Sequence, residues 1–234
     1  MDDYGKLREI LDRHLAGAPP SEKIDRILRI LFTPEEVKVA VGMVFTPIPV
    51  EEIAARSGVS VEEASLRCES MASKGIVFSR KKNGVMGYSL LPTIPGLFEF
   101  PFMKGGGEPM HRTLAKLWEE YHREGLGSSF AGSPTPLTRV LPVESAVDQR
   151  VEVLPFEVIS KMLERNDTIA LAQCACRVSV AACKAPKDVC LIFDATARFL
   201  IERGFARQVT RQEALDAVRR SEEAGLVHMT NNSQ

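Results

Sequence analysis

The sequence predicts an α+β, helix-rich protein with an N-terminal winged helix-turn-helix and a C-terminal α+β domain that binds a metal through four cysteines. Three observations predict this architecture: capped helical segments before residue 75, an Asn-Gly hairpin signal directly after them, and four cysteines within seventeen residues near the C-terminus. We assign residues 1–92 to an N-terminal helix and the winged helix, 93–138 to a linker with one amphipathic helix, and 139–234 to the metal-binding domain.

Capping signals define the helices of the N-terminal part. An amphipathic helix opens the chain, and Ser21 starts a second one. Thr33 and Glu36 have the spacing of a capping box, and Ser60 and Glu63 repeat that spacing at the start of a helix that ends before a glycine. A short helix over 48–57, ended by Gly58, precedes the helix that starts at Ser60, and these two form the expected helix-turn-helix.

A β-hairpin and a boundary follow these helices. The β-prone runs 76–80 and 86–91 are joined through Asn83-Gly84, the dipeptide that favours a tight two-residue turn. Prolines and glycines then crowd residues 92–107, where we expect a flexible boundary between domains.

The C-terminal part predicts further helices and strands around the cysteines. In order they are a helix over 109–124, a strand over 139–141, a helix over 155–165, a strand over 168–172, a helix over 191–203 and a last helix from Thr210 to Gly225. This assignment places Cys190 at the positive end of a helix dipole. If the strand continues to Cys176, the sulfurs of Cys174 and Cys176 lie on one side of it.

Composition and motifs exclude several functional classes. The 30 basic and 31 acidic residues give a net charge of −1, so no global field attracts nucleic acid or an anionic membrane. The chain has neither a signal-peptide pattern nor the run of about 18 apolar residues that a membrane span needs, and we expect a cytoplasmic protein. It has no nucleotide-binding or hydrolase motif, so we do not expect a self-contained enzyme.

The clustered cysteines carry the strongest functional signal. Cys174, Cys176, Cys183 and Cys190 have the spacing C-x-C-x6-C-x6-C. Four thiolates complete a zinc site or hold the four irons of a [4Fe-4S] cluster, and the spacing alone leaves both open, beside four unrelated core cysteines. Arg177 and the nearby Lys184 are expected to donate hydrogen bonds to the site or to offset its charge.

The predicted winged helix suggests contact with DNA or with a partner protein. The basic residues available for such contact are Arg67, Lys74, Arg80, Lys81 and Lys82. Residues 1–92 contain 13 basic and 13 acidic residues, and three glutamates lie on the candidate recognition helix. Carboxylates there repel a duplex, so the charge pattern disfavours DNA relative to a protein partner.

Several segments resemble a group of poorly characterised bacterial and archaeal iron–sulfur proteins that pair an N-terminal winged-helix-like region with a 4Fe-4S ferredoxin-type region. The segments are Pro95-Gly96-Leu97-Phe98-Glu99-Phe100, Leu154-Pro155-Phe156-Glu157, Cys174-Ala175-Cys176-Arg177, Cys183, Pro186, Cys190-Leu191, Gly204-Phe205-Ala206-Arg207, Glu222 to His228 and Asn231. The resemblance covers most of the chain and implies a [4Fe-4S] cluster. Such proteins continue into a second cysteine-rich segment, whereas this chain stops at Gln234, so we expect a single, terminal or structural centre.

These observations together predict an iron–sulfur protein that serves electron transfer or docks a redox partner, as an electron-transfer subunit of an oxidoreductase. Two alternatives remain open. One is a winged-helix transcription regulator that responds to metal or redox state. The other is a structural zinc-binding scaffold.

Overall fold

The computed structural model describes residues 1–132, 136–144 and 158–231 and has an α+β fold. Its helices are α1 (Asp3–Asp12), α2 (Glu22–Leu31), α3 (Pro34–Ala40), α4 (Val50–Ser57), α5 (Val61–Lys74), α6 (Glu99–Phe102), α7 (Pro109–Tyr121), α8 (Gly127–Ala131), α9 (Ile159–Arg165), α10 (Ala175–Val180), α11 (Asp194–Glu202) and α12 (Arg211–Glu223). Its strands are β1 (Ile48–Pro49), β2 (Val77–Lys82), β3 (Val85–Leu90), β4 (Thr138–Val140), β5 (Ile169–Ala172), β6 (Cys190–Phe193), β7 (Arg207–Gln208) and β8 (Met229–Asn231). Within the described ranges, no helix combines the length and apolar character needed to cross a bilayer.

The predicted caps form at the helix starts. Thr33 and Glu36 exchange both hydrogen bonds of a capping box at α3. The Ser60 hydroxyl accepts the Glu63 N–H at α5, and Thr210 closes a full capping box at α12. These side chains satisfy backbone donors that the first helical turn leaves free, which explains why the starts could be predicted from local sequence.

The carboxylate of Glu36 also joins α3 to α5. It is 2% exposed and accepts hydrogen bonds from the Ser70 hydroxyl at 2.8 Å and from the Lys74 ammonium at 2.6 Å. Burial alone would raise the pKa of Glu36, but hydrogen bonds from Lys74, the Thr33 N–H and Ser70 hold it below the usual value of 4.5. The charged carboxylate therefore stabilises the packing of these two helices.

We expect Glu36→Gln to lower the free energy of unfolding by about 1–3 kcal/mol near neutral pH, because a buried hydrogen-bonded charge is lost. The folded-state pKa of Glu36 is depressed, so its contribution is present above the unfolded value and is lost as pH falls through the folded value. The difference in the free energy of unfolding between wild type and Glu36→Gln should therefore narrow below about pH 4.5. Urea unfolding at a series of pH values measures this difference. Glu51→Gln, at an exposed position on α4, is the control, and a difference independent of pH would contradict the assignment.

A β-hairpin follows α5 as predicted. β2 and β3 pair antiparallel from Val77↔Leu90 to Lys82↔Val85, and β1 adds to β3 to give the order β1-β3-β2. Asn83 and Gly84 both have positive φ values, 51° and 83°, as a tight turn of this hand requires.

The cysteine-bearing part is built on a second three-stranded antiparallel sheet with the order β6-β5-β7, while β4 pairs with β8. The structure corrects the helix predicted over 191–203: residues 190–193 form β6, and α11 begins at Asp194. Leu191, Ile192 and Phe193 favour a strand, and pairing with β5 supplies the partner that a local pattern cannot show. The Asp194 carboxylate accepts the N–H groups of Asp167 and Thr168 and fixes this junction.

Two other sequence expectations change. β5 ends at Ala172, so Cys174 and Cys176 do not continue the strand; Cys174 precedes α10, and Cys176 lies within it. The helix predicted over 155–165 is described only from Ile159. Its first residues, and the segment Leu154 to Glu157, lie outside the described residues.

Helix α11 packs the second sheet against the first. Phe199 is 2% exposed, and its ring centroid lies 5.1 Å from that of Phe78 in β2 and 5.9 Å from that of Phe100. The ring of Phe205 packs against Gly75. A Cβ added to Gly75 would lie 2.8 Å from Cζ of Phe205. Arg203 forms an ion pair with Glu69 on α5. Phe199 and Phe205 thus share one apolar core with the N-terminal helices.

Candidate metal centre

Antiparallel pairing brings three of the four clustered cysteines to one end of the second sheet. Cys190 is the first residue of β6 and pairs with Ala172, the last residue of β5. Cys174 follows two positions later and caps α10, and its backbone N–H donates to the Lys187 carbonyl at 2.6 Å. Cys176 lies in the first turn of α10. The sheet register therefore places Cys174, Cys176 and Cys190 at one edge.

The thiol of Cys174 is the most acidic of this group. A hydrogen bond from the Cys176 thiol lowers the pKa of Cys174 and outweighs burial, and the backbone N–H and guanidinium of Arg177 lower it further. Donating that hydrogen bond raises the pKa of Cys176. The pair therefore favours a thiolate at Cys174, which is the protonation state that binds metals.

Cys190 and the carboxyl of Glu99, both partly exposed, lie near Cys174 and Cys176 at the same edge. Burial raises the pKa of Cys190 to about 12, and the neighbouring Cys174 adds to this effect. Burial also raises the pKa of the Glu99 carboxyl to about 7, although the Gly96 N–H donates to it at 2.6 Å. Sequence analysis did not identify Glu99 as part of this site, because its proximity arises from the packing of α6 on α10 and not from local spacing.

Cys183 and Lys184 lie apart from the other thiols. Both are exposed on the segment between α10 and β6. In the part of the chain that the structure describes, no three His, Cys, Asp or Glu side chains stand close enough together to hold a metal ion. The four thiolates have the chemistry that a [4Fe-4S] cluster or zinc requires, and three of them share one edge. Binding a metal would therefore require the three thiols at this edge to move closer together and the Cys183 segment to approach them.

Arg177 of α10 contacts the segment between α10 and β6. Its Nη1 atom lies 3.5 Å from the Pro186 carbonyl, and its charge lowers the pKa of both Cys174 and Cys190. That Arg177 offsets the charge of metal-bound thiolates stays a prediction. Lys184 has no comparable contact among the described residues.

No protein-family model, curated protein or solved structure matches this chain. The inference of function therefore depends on the side chains of the chain itself. The resemblance to iron–sulfur proteins stays a prediction.

The basic residues considered for DNA contact fall into two groups. Lys74 is bound to Glu36, and Arg67 lies 3.9 Å from Glu63 on the same helix. The other three, Arg80, Lys81 and Lys82, are exposed at the end of the β2–β3 hairpin. Among these five residues, Arg80, Lys81 and Lys82 are therefore the ones without an ion pair in the described part of the chain, and they suit contact with a partner.

The exposed side of α5 is acidic and apolar. It presents Leu66, which is 63% exposed, together with Val61, Glu62, Ser65 and Glu69. This composition suits a protein surface better than a phosphate backbone. Cys68 on the opposite side is fully buried, and burial raises its pKa to about 12. Cys68 is therefore a neutral thiol of the core.

Proposed function

We propose that this protein binds an iron–sulfur cluster through Cys174, Cys176, Cys183 and Cys190 and exchanges electrons with a partner protein in the cytoplasm. The observation that supports the proposal is the placement of Cys174, Cys176 and Cys190 at one end of the second sheet, with Cys174 favoured as a thiolate by a hydrogen bond from Cys176. A bound [4Fe-4S] cluster would supply one-electron chemistry at a potential set by its surroundings.

The chain's own residues would tune such a centre. Arg177 offers positive charge next to Cys174 and Cys190, which offsets the charge that thiolates bring into a partly buried site. The Glu99 carboxyl, with its raised pKa, adds less negative charge to the same region than an ordinary glutamate. Both effects favour holding several thiolates together.

In this proposal α3 to α5 and strands β1 to β3 form a winged helix that docks the redox partner. The exposed Leu66 and Val61 would lie at the centre of that contact, and Glu62 would pair with a basic residue of the partner at its rim. The alternative of a metal-responsive regulator requires the same helix to enter a DNA groove. Its exposed carboxylates disfavour that use.

Metal analysis of the full chain, purified without oxygen, tests the proposal. We expect about four irons and an equal amount of labile sulfide per chain. Charge transfer between thiolate and iron should also give broad absorbance at about 400 nm. One zinc per chain without iron would instead support the structural scaffold. A chain that binds neither metal, after separate reconstitution with iron plus sulfide and with zinc, would exclude both.

A further inference from the structure

A cavity of about 380 Å³ lies beside the cysteine segment, between the glycine-rich stretch 105–107, the start of α7 and α10. Its lining residues are Phe102, Gly105, Gly106, Gly107, His111, Arg112, Ala115, Gln173, Val178, Ser179, Ala181 and Lys187. A cavity of this volume matches those that hold small molecules. None of the thiols lines it, so it is distinct from the proposed metal centre.

The ionisable lining of this cavity is entirely basic. His111, Arg112 and Lys187 line it, and no carboxylate does. Arg112 uses one guanidinium nitrogen to donate to the Gly107 carbonyl at 2.9 Å, which holds it against the glycine-rich stretch. Within the described residues, neither Arg112 nor Lys187 forms an ion pair with an acidic residue. Their charges are therefore available to an anion.

His111 contributes a buried nitrogen that lacks a partner. Its Nε2 atom lies 3.2 Å from the Pro101 carbonyl, which can only accept, so Nε2 carries a proton. Its Nδ1 atom is buried and has no hydrogen-bond partner in the described structure. Because Nδ1 is enclosed by protein atoms, it does not face the cavity, and the charges available to an occupant are those of Arg112 and Lys187.

The glycine-rich stretch has a conformation that the cavity requires. Gly105 and Gly107 have φ values of 93° and 158°, which disfavour other residues. A Cβ on Gly106 would lie 2.9 Å from Cγ1 of Val178 in α10. A Cβ on Gly105 or Gly107 would meet no atom within 4 Å, so open space lies beside both. The three glycines thus let the backbone approach α10 closely while keeping this space free.

We infer that this cavity binds a small anionic molecule whose phosphate-type oxyanion contacts Arg112 and Lys187. The side chains of Phe102 and Val178 provide an apolar surface for the rest of such a molecule. The Lys187 carbonyl accepts the N–H of Cys174, so the occupant would contact the segment that carries the cysteines. The inference depends on the lining residues alone and does not require a cluster.

Calorimetric titration of the full chain with inorganic phosphate, pyrophosphate and adenosine monophosphate tests this inference. We expect saturable binding of at least one probe. Arg112→Gln and Lys187→Gln should each weaken it by about 10-fold or more, as expected when a hydrogen bond to a charged group is lost. Ala115→Leu should also weaken binding, because it fills space in the cavity without changing charge.

Lys38→Gln, at an exposed position on α3, is the matched control for loss of one positive charge, and it should bind like wild type. Thermal unfolding of each variant separates lost binding from lost folding. Equal affinity in all variants would show diffuse charge attraction and overturn the site. Absence of binding by all three probes at about 10 mM, well above the millimolar range of weak ligands, would overturn it as well.

Discussion

Cys190→Ser is expected to abolish iron binding while the N-terminal helices stay folded. Cys190 starts β6 opposite Ala172 and is electrostatically coupled to Cys174, so its sulfur belongs to the edge where the proposed ligands converge. Loss of residues that merely support a metal ligand already costs about 10- to 100-fold in affinity, and loss of a ligand should cost more than about 100-fold. Iron and sulfide content, measured after parallel anaerobic purification, gives the result.

Cys68→Ala provides the matched control for this experiment. It also removes one thiol, but from the core beneath α5 and away from the second sheet. Its iron content should equal that of the wild type. Arg177→Gln should give an intermediate loss, because it leaves all four thiols in place and removes only the neighbouring charge. Full iron content in Cys190→Ser would remove Cys190 from the ligand set.

The features that the sequence predicted well are those that short-range chemistry determines. The capping box requires only the Thr33 hydroxyl and, after two intervening residues, the Glu36 carboxylate. The hairpin turn requires only that Asn83 and Gly84 accept positive φ values. Each signal lies within a few residues of its effect, so no knowledge of the fold was needed.

Long-range pairing explains the errors. A helical pattern over 191–203 was plausible because the apolar residues after Cys190 suit either structure, and the partner strand β5 lies about twenty residues earlier in the chain. The same reason applies to Glu99 and His111. Glu99 gains its surroundings from α10, which packs against α6, and His111 gains its own from Pro101 and Phe102 in α6. The cysteines could be grouped by spacing, but their positions follow from the β5–β6 register.

Phe199→Ala is expected to lower the free energy of unfolding by about 3–5 kcal/mol, the range for removing a large buried aromatic side chain. The Phe199 ring packs between Phe78 of the hairpin and Phe100 of α6, and it is 2% exposed. Since native domains are stable by only about 5–15 kcal/mol, this loss should be evident in urea unfolding. The effect should reach both parts of the chain, because α11 joins the cysteine-bearing sheet to the N-terminal core.

Two probes distinguish a shared core from two independent units. Trp118 fluorescence reports on the core around α7, and exchange of the β5 amide protons reports on the second sheet. In Phe199→Ala both should lose stability together, whereas Leu66→Ala, at a position 63% exposed, should change each by no more than about 0.5 kcal/mol. Loss of protection in β5 with an unchanged Trp118 transition would mean that the second sheet unfolds separately. The proposed metal centre would then depend on the stability of that sheet alone.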